Sequence, residues 1–237
     1  VTPTSACDNQ FRSWYVNTHL RNIPLFLLDV PYYHYNAKSI SYYRNQLDEL
    51  IQFMENICGR KMKPEVLQEV VARAIEGEEW VMKALDLRKA IPCPLRLKDG
   101  FRSQFMMWGA QGSETGLEWS KAFYDELKAR TDAGKGVCPT EKHRLFWIHN
   151  YPYFDAQLCD FIEQDLNTAV PIETNSLIYA EASPLSMERP LDSLAERISC
   201  GGASGTLQEV IDRNIRLAKQ FNVDGLVIAC QWGCKYW

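Results

Sequence analysis

No stretch of this chain comes near the eighteen or so uncharged apolar residues that a membrane-spanning helix needs, and its opening VTPTSACDNQ lacks the basic-then-apolar pattern of a secretory leader. No membrane partner is expected, and the expected location is cytoplasmic. Basic tracts are missing too. Lys and Arg number 26 against 30 Asp and Glu, a net charge of −4, so no cationic stripe exists to displace counterions from a nucleic acid. Internal repeats, low-complexity segments, a Walker lysine and a complete GxGxxG are all absent, as is the CxxC spacing of compact metal knuckles. An initiator Met is missing as well, and the chain stops at GCKYW straight after an apolar run, the pattern expected of part of a longer subunit.

What remains is an ordinary globular composition of 237 residues, 46% hydrophobic and 24% charged. A chain of this size buries a core without disulfide staples, so its eight cysteines need another explanation. IPLFLLDVP (23–31) reads as a parallel strand buried on both faces. Residues 40–58 carry apolar side chains at helical spacing and end at Gly59, a natural left-handed terminator. Pro64 opens a second helix running to about residue 90, and a third helical stretch covers about 102–130 with a break in GAQGSETG. From residue 143 strands alternate with helices: HRLFWIHN (strand), DAQLCDFIEQDLNTA (helix), PIETNSL (strand or loop), MERPLDSLAERISC (helix), then TLQEVIDRNIRLAKQFNVDG (helix) and LVIACQW (strand). The expected fold is α/β, with Rossmann- or flavodoxin-like parallel-sheet units and a helical middle segment. Residues 1–135 are expected to hold the end of a first unit plus the helices, and 140–237 a second unit, incomplete at its C-terminus.

Open parallel sheets bind ligands beyond the carboxyl ends of their strands. Asp29, the pair His149 and Asn150, and Cys234 follow apolar runs in this way, and Cys7 is placed to follow an earlier strand. Cys7 and Cys234 could converge on one metal cluster, although a separation of 227 residues leaves spacing silent on the point. His34, within the aromatic YYHY, and His149 are candidate acids or bases by their positions near strand ends. The six other cysteines are expected to be small buried hydrophobes, with Cys230 pointing into the sheet core. GGASG (201–205) reads as a flexible connection whose Ser204, or Thr206 just beyond it, caps the next helix rather than as a phosphate cradle.

The ordered set SACDNQ, IPLFLLDVP, GRKMKPEVL between two helices, RLFWIHNYPYFD and NVDGLVIACQWGCKYW resembles the subunits of 2-hydroxyacyl-CoA dehydratases and benzoyl-CoA reductases. The resemblance runs over nearly the whole chain. It implies a 4Fe-4S cluster held by three cysteines, of which Cys7 in the CD motif and Cys234 in the GC motif match two; the third lies upstream of the CD motif in the family, before the first residue here. It implies an acyl-CoA substrate, from which a 2-hydroxyl and a β-hydrogen are removed after one electron enters the thioester carbonyl, or an aryl-CoA that is reduced. A related second subunit and a separate ATP-dependent activator protein belong to the same implication. Two other readings stand beside it: a double-cubane-type reductase of small molecules, and a cluster-free structural subunit.

Overall fold

The computed structural model describes residues 2–3, 8–30, 36–153, 155–176, 182–199 and 206–230. The first unit begins with a two-residue strand β1 (Thr2–Pro3), helix α1 (Asp8–Leu20) and a second two-residue strand β2 (Leu27–Leu28), paired parallel to β1. The apolar run 23–31 thus yields only a short strand, and Leu27 is exposed while Leu28 is half-buried. The correction has a tertiary cause. β2 pairs with the equally short β1, and Leu28 and Val30 pack against Tyr43, Leu47 and Ala195 on one side only.

Helix α2 (Ala37–Cys58) is opened by Asn36, whose side chain accepts from the amides of Lys38 and Ser39, and closed by Gly59 at φ 62°. Helix α3 (Pro64–Leu87) has proline at its start, where a missing N–H costs nothing. It runs through the buried Gly77 uninterrupted and packs against α5 (Glu114–Asp132) there, where a Cβ would meet Ser120 Oγ at an ordinary contact distance of 3.4 Å. The expected break within the third helical stretch is real and separates α4 (Leu97–Gly109) from α5. Gly112 sits at φ 79° where a Cβ would lie 2.6 Å from Val70.

The second unit is a three-stranded parallel sheet in the order β4-β3-β5, formed by β3 (His143–His149), β4 (Thr168–Glu173) and β5 (Gly225–Ala229). A short helix α6 (Gln157–Asp160) runs directly into a π-helical turn, Phe161–Asp165, and connects β3 to β4. Helices α7 (Pro190–Ser199) and α8 (Leu207–Gln220) lie between β4 and β5. Alternation along the strands divides the core into two layers. Trp147 and Val170 pack with Cys159, Ile162, Leu97 and Phe101 on one face of the sheet. Phe146, Ile148 and Ile172 pack with Leu217 and Phe221 of α8 on the other. Each of these buried side chains contributes roughly 2 kcal/mol by leaving water. Thr206 caps α8 with the reciprocal partner Glu209, as the sequence pattern predicts.

The helical segment is tied to the sheet by charge. Arg88, at the end of α3, forks onto Glu173 of β4 and reaches Ser176 Oγ at 3.1 Å and Val170 O at 3.2 Å, with both charged partners buried. Burial works to lower the Arg88 pKa, and the pairing with Glu173 outweighs it and holds the guanidinium charged. Arg144 of β3 pairs with Glu141 and donates to the carbonyls of Arg88, Lys89 and Ala90, which closes the C-terminal end of α3.

Candidate functional site

The two connections out of adjacent strands decide where this sheet can hold a ligand. The chain leaves β3 for α6 on one face and leaves β4 for α7 and α8, with α8 packed on the other face. The connections out of β3 and β4 therefore lead to opposite faces of the sheet, the arrangement in which open parallel sheets take a ligand in a crevice at the carboxyl ends of their strands. His149 closes β3, and Thr174 follows β4 directly.

His149 is buried and held at φ 77°, in the left-handed region that a non-glycine residue occupies at a cost of about 1 kcal/mol or more. Two contacts hold it there. Its backbone N–H donates to Thr174 Oγ1 at 3.0 Å, and its ring Nδ1 lies 2.9 Å from Ala229 O at the end of β5. A carbonyl only accepts, so Nδ1 carries a proton in this contact. Thr174 Oγ1 in turn donates to Trp147 O at 3.4 Å, while Trp147 Nε1 donates to Asn150 O at 2.7 Å. The ends of all three strands are thereby tied to one residue, His149, through its backbone N–H to Thr174 and its ring to Ala229.

Below it, Tyr151 is buried and receives a hydrogen bond from Gln104 Nε2, and Tyr153 OH reaches Gln104 Oε1 at 3.5 Å. Glu173 and Arg88 fix the last turn of β4, so Thr174 is supported from beneath by a buried ion pair. The sequence pointed to His149 through its strand-end position. It gave no signal for Thr174, Glu173 or Arg88, because their roles come from segments 25 and 85 residues away.

Cys7, His34 and Cys234 lie outside the described residues, as do the rest of YYHY, Cys200 and GGASG. Their neighbours place them in the chain: Cys7 comes between β1 and α1, and Cys234 comes five residues after the end of β5. Asp29, just after β2, is engaged by α2: Tyr42 OH donates to its carboxylate at 3.0 Å and Gln46 holds its backbone N–H and C=O. Among the other cysteines, Cys93 and Cys159 are buried as expected and Cys138 is half-buried. Burial pushes their thiols up to about 11, 11 and 12, which keeps them protonated and unreactive. Cys58 and Cys230 are corrections, since both are exposed. Cys230 continues the outward face of Leu226 and Ile228 on β5, a face on which the strand meets no described neighbour in either of the two core layers. Among the described residues no three His, Cys, Asp or Glu side chains form a group able to hold a metal ion, and no helix is long and apolar enough to cross a membrane.

Comparison with known proteins adds what geometry alone does not. The sequence model of the 2-hydroxyglutaryl-CoA dehydratase D-component matches residues 1–237. The alpha subunit of (R)-phenyllactyl-CoA dehydratase from Clostridium sporogenes is 26% identical over 236 residues, covering 97% of this chain and 56% of that one. Subunit alpha of (R)-2-hydroxyglutaryl-CoA dehydratase from Acidaminococcus fermentans is 26% identical over 241 residues, covering 97% and 48%. The alpha subunit of (R)-2-hydroxyisocaproyl-CoA dehydratase from Clostridioides difficile is 28% identical over 236 residues, covering 96% and 56%. The chain spans about half the length of these relatives.

Proposed function

Because this chain belongs to the family of the 2-hydroxyglutaryl-CoA dehydratase D-component, we propose that it forms the corresponding part of a 2-hydroxyacyl-CoA dehydratase subunit and works beside a related second subunit. The observation that carries the reading is the family match along the whole chain, together with three relatives that are all named alpha subunits of such dehydratases. Those names favour dehydration over reduction of an aryl-CoA. They equally favour an acyl-CoA substrate, taken in the crevice at the carboxyl ends of β3 and β4. A separate ATP-dependent activator and a cytoplasmic setting complete the proposal.

Cys7 and Cys234 are proposed as two thiolate ligands of a 4Fe-4S cluster, with the third cysteine outside these 237 residues. The donor set fits in kind, since thiolates are the ligands that iron–sulfur clusters select, and the buried, proton-holding thiols of Cys93 and Cys159 are poor competitors. Such a cluster, when bound, supplies a low-potential electron to the thioester. The protein's own task is to bind the thioester, exclude water and handle the proton that an α-hydroxyl needs in order to leave as water. His149 is suited to that task. Its Nδ1–H is fixed on Ala229 O, which orients the imidazole at the end of β3, and proton transfer to the departing hydroxyl is assigned to this ring. Thr174 is a positioning residue, acting through the His149 backbone.

The test is anaerobic iron and acid-labile sulfide analysis of the full-length subunit with its partner, comparing Cys7→Ser and Cys234→Ser with the parent. Loss of iron in both is expected, and unchanged iron content in both overturns the ligand assignment. His149→Asn retains a donor for Ala229 O but no proton-accepting ring nitrogen. It is expected to keep its iron and lose turnover, and undiminished turnover removes His149 from the chemistry.

A further inference from the structure

A second concavity lies at the opposite edge of the sheet. The chain enters it just before β3 and β4 begin: Gln164, at the end of the crossover, donates to Val137 O at 2.7 Å, and Asn167 receives the amide of Thr140 at 3.1 Å. The result is an open groove of about 650 Å³ lined by Arg96, Lys98, Arg130 and Lys135, with Asp160 as its carboxylate. The volume lies within the range of small-molecule sites.

The charge of this groove runs against that of the chain. A protein with a net charge of −4 gathers four cations here. Asp160 accepts from Arg96 at 2.6 Å and from Lys98 at 2.7 Å, and Glu126 outside the groove accepts from Arg130 at 2.7 Å. Glu163 also lies 3.8 Å from Arg96 Nε, so three carboxylates serve four cations, and Lys135 is the groove cation with no ion pair among the described residues, which leaves a surplus of one positive charge. The start of α4 adds the positive end of its macrodipole at the same place, since Arg96 and Lys98 flank its first residue.

The cations are also held in position. Lys135 follows the left-handed Gly134 (φ 61°), and its amide returns to Arg130 O at 2.9 Å, so the last turn of α5 is closed under both residues. Arg130 reaches Pro94 O at 3.4 Å, which joins the end of α5 to the segment carrying Arg96 and Lys98. Two pairs of cations, one from residues 96–98 and one from 130–135, therefore line a single groove. Guanidinium and ammonium groups in such a cluster match linked phosphates, whose oxygens accept forked and point-charge hydrogen bonds at once.

We propose that this groove is an oligophosphate-binding site, taking a diphosphate group at the sheet edge opposite the crevice that holds His149. The site itself goes beyond the dehydratase reading, and only its coenzyme A source rests on that reading. The diphosphate can come from a free nucleotide or from the coenzyme A tail, and the ligand series separates the two.

The experiment is calorimetric titration of the full-length subunit with inorganic pyrophosphate, ADP and coenzyme A, at low and at raised salt. Pyrophosphate is expected to bind, and to bind more weakly as salt rises. Lys135→Glu, on an exposed turn, and Lys98→Met are each expected to weaken it by about tenfold or more, and His149→Asn to leave it unchanged. Tighter binding of ADP than of coenzyme A assigns the site to free nucleotides, and the reverse order assigns it to the coenzyme; either supports the proposal. No binding of pyrophosphate to the parent, or equal binding by the folded Lys135→Glu and Lys98→Met variants, overturns it.

Discussion

Glu163 is a carboxyl in the wrong place for an ion, and replacing it with glutamine gives a sharp test of the core beneath the helical segment. It is fully buried in the π-helical turn before β4, and its Oε1 accepts the Leu97 N–H at 2.6 Å. Its Oε2 is buried without a hydrogen-bond partner, and Arg96 Nε is 3.8 Å away. Burial pushes the group up to about 7, against the opposing pull of the Leu97 amide and Arg96. The ordinary glutamate value is about 4.3. Between these values the folded state keeps a proton that the unfolded state has released, so stability falls as pH rises from about 4.3 and levels off above about 7. At about 1.4 kcal/mol per unit, the full loss is about 4 kcal/mol, of which about 3 kcal/mol falls above pH 4.5, a large share of the stability of a typical domain. Glu163→Gln keeps the acceptor for Leu97 and removes the titration. The assay is urea unfolding of parent and variant from pH 4.5 to 8.5, read as the difference between the two stabilities so that every other titrating group cancels. The variant is expected to gain on the parent by about 3 kcal/mol across this range. A difference that stays flat with pH refutes the buried-carboxyl reasoning.

Glu173→Gln leaves Arg88 charged and poorly matched in the core; a loss of about 4 kcal/mol is expected in urea unfolding, and replacing both residues by apolar ones recovers most of it. A loss below about 1 kcal/mol would mean that solvent reaches the pair. Thr174→Val removes the acceptor of the buried His149 amide and is expected to cost about 2 kcal/mol, while Thr174→Ser costs much less; equal losses in thermal unfolding would exclude the hydroxyl as the cause. Gly116→Ala sets a Cβ 2.0 Å from the carbonyl oxygen of Ala110, so the start of α5 must shift, with an expected loss of about 3 kcal/mol by the same measurement. An unchanged midpoint would show that this turn yields without strain.

Local chemistry was legible without the fold. Gly59, Pro64 and the Thr206–Glu209 pair mark helix ends because caps and terminators act within a single turn. The apolar runs that became β3 and β5 announced themselves in the same way, whereas β4 did not: its first residues Thr168 and Ala169 fell in the stretch expected to be helical, and PIETNSL read as strand or loop. Helix α1 went unread because it is mostly exposed and lacks a clear apolar stripe. The run 23–31 misled because apolar character states only that burial is favourable, whereas the neighbours available to β2 cover one side. Cys58 and Cys230 misled for the same reason, being apolar enough to bury yet standing on faces that no described element covers.

By itself, then, the sequence determined the α/β class, the alternation of the second unit, the strand-end position of His149 and the family resemblance of its ordered motifs. The strand order β4-β3-β5, the departure of the β3 and β4 connections to opposite faces, the Arg88–Glu173 pair and the four-cation groove were decided only in three dimensions. The physical reason is range. Caps, turns and periodicity are set by residues a few positions apart, while the left-handed His149 is held by Thr174 and Ala229, and Glu173 by Arg88, across separations of 25, 80 and 85 residues that only packing brings together.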